Sequence, residues 1–74
     1  MSSAVNRDEW IAAFARELGV APPTPEEVDK LLALAGTAAH SSERPAAPLA
    51  CWVAGRAGAS TEEFLAAAER VNQS

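Results

Sequence analysis

The chain has 74 residues, which is room for one domain only. A hydrophobic fraction of 49% is too high for a disordered chain and ordinary for a globular one. The net charge of −4, with six scattered Lys and Arg, excludes the concentrated basic face that nucleic acid requires, and argues equally against an anionic membrane surface.

The expected first helix starts at Asn6. Asn6 is a good N-cap, and Glu9 stands where a capping-box partner belongs. Trp10, Ile11, Phe14 and Leu18 share one face and are expected to point into the core. Gly19 suits the left-handed position after the helix, and Pro22-Pro23 block any continuation.

The second helix has the clearest start. Thr24-Pro25-Glu26-Glu27 supplies an N-cap, a proline at the first helical position and an acid at the third. Val28, Leu31, Leu32, Ala35, Ala38 and Ala39 form the expected core face, with Leu34 on its flank. Gly36 could end this helix, but Thr37-Ala38-Ala39 keeps the apolar face in phase, so continuation to about His40 is expected.

Helix three follows the polar stretch Ser41-Ser42-Glu43-Arg44. Pro45 and Pro48 must lie before or within its first turn. From Pro45 to Gly55 no side chain is charged. Leu49, Trp52, Val53 and Arg56 make a large face, while Ala47, Cys51, Ala54 and Gly55 make a small one. A helix apolar all round is normally enclosed, so this one is expected at the centre of the core. Its small face would let another helix come close, within the chain or in a homodimer.

Ser60-Thr61-Glu62-Glu63 is a further capping box and opens helix four. Phe64, Leu65, Ala68 and Val71 form its core face, Glu62, Ala66, Glu69 and Arg70 point away, and Asn72-Gln73-Ser74 is expected to fray. No alternating run or β-branched cluster suggests a strand. The expectation is an all-α fold: one compact four-helix domain over 1–74, with helices near 6–18, 24–40, 46–56 and 60–72. Up-and-down packing is the first choice and orthogonal packing the second.

The residues offer little catalytic chemistry. His40, Ser41, Ser42 and Glu43 are the residue types of a hydrolytic triad, but neighbours in one turn cannot line up nucleophile, base and orienter. His40 is better read as the end of helix two, with Ser41 or Ser42 capping the next helix. One Cys and one His do not make a structural zinc site, so no metal or other cofactor is expected. Cys51 reads as a buried small hydrophobe. With a single cysteine no internal disulfide can form, which fits a reducing compartment. MSSAVNRDEW has neither region of a signal peptide, and no apolar run approaches the ~20 residues of a spanning helix, so a cytoplasmic protein is expected. Trp10 and Trp52 are expected in the core; if exposed, either becomes the best partner contact. Arg44, at the entrance to helix three, could receive an anion with His40 as a second donor, or could pair with Glu43 or another carboxylate and fix the loop. His40, Glu43, Arg44 and Trp52 are therefore the candidate ligand- or partner-binding residues, with no catalytic residue among them.

Trp10-Ile11, Glu17-Leu18-Gly19, Ala39-His40 and above all the string ERPAAPL from Glu43 to Leu49 resemble a small bacterial helical domain family. The resemblance covers roughly residues 8 to 70. Cys51 departs from it, standing where a small polar residue or alanine is expected. Members of that family stand alone or are fused behind a domain resembling molybdenum-cofactor guanylyltransferases. The resemblance implies an accessory role in molybdopterin guanine dinucleotide synthesis or molybdoenzyme maturation, with such a nucleotidyltransferase, or another protein, as partner. It implies no catalysis, because the transferase motifs belong to the other domain. Two functions follow as expectations: a non-enzymatic interaction module, and alternatively a small anion- or nucleotide-binding domain using the His40–Arg44 loop.

Overall fold

In the computed structural model, which describes residues 6–73, four helices follow one another: α1 (Arg7–Leu18), α2 (Pro25–Ser41), α3 (Ala46–Ala57) and α4 (Thr61–Gln73). The fold is all-α, a four-helix domain, and no strand occurs among the described residues. The signal-peptide reading of the first five residues and the fraying of Ser74 lie outside the described residues. Asn72 and Gln73 do not fray but complete α4.

The helix ends follow from local chemistry. The Asn6 side chain accepts from the Glu9 N–H at 2.8 Å, and the Glu9 carboxylate accepts from the Asn6 N–H at 3.2 Å. Thr24 and Glu27 form the same reciprocal pair, and so do Ser60 and Glu63. Each box satisfies two backbone donors that a helix start leaves without intrahelical partners. Gly19 and Gly58 terminate α1 and α3 with φ of 75° and 68°, a left-handed conformation that costs glycine nothing. Beyond Gly19, the Val20 N–H reaches back to the Ala15 carbonyl at 3.0 Å. Gly36 lies within α2, whose apolar pattern carries the helix through it.

The spine of the fold is α2. It makes extensive backbone approaches to α3 and to α4, and α1 makes none of that extent with any helix. The core is a cluster of Leu34, Ala54 and Phe64, one from each of α2, α3 and α4. Leu31, Ala50, Cys51, Ala59, Leu65 and Ala68 pack around it.

Three sequence expectations about the core are corrected. Leu34, expected on the flank, is the most buried large side chain at 5% exposure, whereas Leu32 and Val71, expected inside, are exposed. The reason is that α2 holds two helices at once, so its buried stripe is centred between them. Next, α3 is not an enclosed central helix. Its small face packs, with Ala54 buried and Ala50 and Cys51 against the core cluster, while Leu49, Trp52 and Val53 stand exposed. Alanine-sized side chains let the α2 and α3 backbones approach closely, as ridges of large side chains would not. That small face packs within the chain at Ala54, while Ala47 and Cys51 are half-buried and Gly55 is exposed. Finally, Trp10, Phe14 and Leu18 of α1 are exposed rather than in the core. Only Ala15 of that helix is buried. The Trp10 and Phe14 rings cover each other instead, stacked with centroids 5.1 Å apart.

Candidate functional site

The polar stretch before α3 is built by a turn. His40 lies in the last turn of α2, Ser41 ends that helix, and the Ser42 N–H closes it on the Ala38 carbonyl at 3.1 Å. Neither serine caps α3, contrary to expectation. Its N-cap is Pro45, which has no side-chain cap. The chain solves the capping problem with backbone: the Ala46 N–H donates to the Glu43 carbonyl at 2.8 Å and the Ala47 N–H to the Arg44 carbonyl at 3.0 Å. Pro48 has no N–H to satisfy. The entrance to α3 therefore keeps few donors for an anion.

His40, Glu43 and Arg44 are all exposed. Among the described residues, no hydrogen bond joins the side chains of His40, Ser41, Ser42 and Glu43, and the expected Glu43–Arg44 pair is not formed; an ion pair elsewhere joins Arg7 to Asp8 at 2.8 Å. That contact raises the Arg7 pKa and lowers that of Asp8, first through the hydrogen bond and then through the opposite charge. Nor does any group of three His, Cys, Asp or Glu side chains among the described residues stand in a metal-holding arrangement.

Trp52 is 61% exposed, and the Arg56 guanidinium lies over its ring, 5.0 Å from the centroid. The spacing i, i+4 on α3 places the cation there, a contact worth about 0.5–1 kcal/mol at an exposed site. Because Trp52 supports little of the core, Trp52→Ala is expected to cost no more than about 1 kcal/mol, against the about 3–5 kcal/mol of a buried tryptophan. Urea unfolding followed by circular dichroism measures the difference.

Cys51 is half-buried, with its Sγ 3.9 Å from the Leu31 carbonyl. Burial pushes its thiol above the ordinary value of 9.0. At neutral pH it is expected to react with a thiol reagent more slowly in the folded chain than in urea. The folded thiol holds its proton more tightly than the unfolded one. Its contribution to stability is therefore full below pH 9.0 and is lost as pH rises through the folded value.

One concavity is not disclosed by the sequence. An open groove of about 1640 Å³ runs between α3 and α4 over the C-terminal half of α2. Leu49 and Val53 line one wall, the row Glu62, Ala66 and Arg70 the other, and Leu34 and Phe64 lie at its base. It exceeds the roughly 300–1,000 Å³ of small-molecule sites, and Glu62, Glu63 and Arg70 are the charged groups that line it.

Residues 2–74 match a domain of unknown function, DUF6457. The chain belongs to that family. The match spans all four helices, so the DUF6457 domain is the helical unit as a whole. None of the curated proteins and none of the solved structures is detectably similar to this DUF6457 chain. Among the described residues no helix is long and apolar enough to cross a membrane.

Proposed function

We propose that this domain is a non-enzymatic interaction module that serves molybdenum-cofactor biosynthesis, with a molybdenum-cofactor nucleotidyltransferase as its partner in a bacterial cytoplasm. The observation that carries the reading is Trp52, a large aromatic side chain presented to solvent on a helix without any acidic residue. Tryptophan and arginine are the residues most enriched where protein interfaces concentrate their binding energy. Trp52 with Arg56 over it, together with the exposed His40, Glu43 and Arg44, supplies both types on one region of the chain. The molybdenum-cofactor link rests on the ERPAAPL resemblance from Glu43 to Leu49.

The test is binding of the purified chain to a purified molybdenum-cofactor guanylyltransferase. Trp52→Ala is expected to weaken the complex by about 2 kcal/mol or more while leaving the fold intact. No binding at micromolar concentrations overturns the proposal. The reading of His40–Arg44 as an anion or nucleotide site has less support, because Ala46 and Ala47 already spend their N–H groups on the turn. Calorimetry with guanine nucleotides, on the natural chain and on Arg44→Ala, decides it.

A further inference from the structure

We infer that α1 is a separable arm, which undocks from the α2–α4 unit and loses its helix while that unit stays folded. The core cluster contains no residue of α1: Leu34, Ala54 and Phe64 come from α2, α3 and α4, and the side chains packed around them all lie between Leu31 and Ala68. Of α1 itself only Ala15 is buried, with Ile11 and Ala12 half-buried. Trp10, Phe14 and Leu18, the large side chains that could hold the helix to a neighbour, are exposed. Among the described residues, the hydrogen bonds of α1 and its caps all run between Asn6 and Val20, so none ties this helix to α2, α3 or α4.

The two sides of the connection are closed separately. The Gly19 N–H returns to the Ala15 and Arg16 carbonyls of α1, while the Thr24–Glu27 capping box starts α2 from residues of its own. The first turn of α2 therefore keeps its cap when α1 leaves. Between these ends, Pro22 and Pro23 have no N–H to donate across the connection. Segments with few buried apolar contacts open at free energies well below that of global unfolding. A helix of 12 residues without tertiary support is marginal in water, so α1 melts once it undocks, and the stacking of Trp10 on Phe14 goes with it. The device is independent of the proposed function. Trp52 and Arg56 lie on α3, in the part that stays folded, so α1 can move without disturbing that surface.

The two tryptophans stand on opposite sides of this division, Trp10 on α1 and Trp52 on α3. Trp52→Phe and Trp10→Phe each leave one fluorescent reporter in the full chain. Urea titration is expected to give a lower midpoint for Trp10 than for Trp52, with the Trp52 transition matching the main loss of helical circular dichroism. Amide hydrogen exchange, corrected for intrinsic rates, is expected to be at least about tenfold faster in α1 than in the middle of α2. Ala15→Asp puts a charge at the buried position of α1 and is expected to lower or abolish the Trp10 transition while leaving the Trp52 midpoint in place. Coincident midpoints for the two reporters overturn the inference. Equal protection of α1 and α2, or an Ala15→Asp change that lowers both midpoints together, overturns it as well, because either result makes the four helices one cooperative unit.

Discussion

Phe64→Ala is expected to destabilise the domain by about 3–5 kcal/mol, the range for removing a buried aromatic side chain. For a chain of this length, total stability is on the order of 4–11 kcal/mol, so this single change removes a large share of it. The consequence follows from how little else is buried. Among the described residues, Ala15, Leu34, Ala54 and Phe64 make up the buried apolar set, and Phe64 is its only aromatic member. Phe64 also stands at the fourth position of α4, just after the Ser60–Glu63 capping box, with Ala59 packed against the same cluster. Apolar contact across a helix start fixes the angle at which the chain enters the helix. Losing the ring therefore opens a cavity and loosens the α3–α4 connection together. Urea denaturation followed at 222 nm gives the value, and a loss under about 1.5 kcal/mol would show that Phe64 is not the centre of the core.

Leu34→Ala is expected to cost about 2–5 kcal/mol, toward the upper end, for a different reason. Leu34 sits on the helix that contacts both α3 and α4, and it belongs to the same cluster as Ala54 and Phe64. The alanine side chain at position 54 cannot extend to fill the space, so collapse of the cavity is limited. The two changes should not be additive. Leu34 and Phe64 belong to one packed cluster, and a coupling of about 0.5–3 kcal/mol is expected from the double variant. Strict additivity would mean that α2–α3 and α2–α4 pack as separate contacts. Leu32→Ala, on the exposed side of the same helix, serves as the control and is expected to cost well under either core change.

The helix ends were legible because they are written in local chemistry. Asn6–Glu9, Thr24–Glu27 and Ser60–Glu63 each close a hydrogen-bonded ring over three residues, which needs nothing from elsewhere in the chain. Gly19 and Gly58 stop their helices through a backbone conformation that suits glycine. The entrance to α3 was misread because Ser41 and Ser42 are equally good caps on paper. The turn used the Glu43 and Arg44 carbonyls instead, and the serines went to the end of α2.

The position of the candidate surface was only partly legible. His40, Glu43, Arg44 and Trp52 stood out in the sequence, and all four are exposed. The groove was hidden, because its walls come from α3 and α4 and its base from α2. No single segment carries its signature. Residues 34 to 72 meet there only after three helices have packed.

The sequence by itself therefore determined four helices and most of their ends. Periodicity, caps and turn residues act within a few positions and do not depend on the partner a helix meets. Which face of each helix is inside was decided by the tertiary structure. On α3 both faces are apolar, so hydrophobicity cannot choose between them. Packing chose the face with Ala50, Cys51 and Ala54, because small side chains bring two backbones close, and that choice left Leu49, Trp52 and Val53 to solvent.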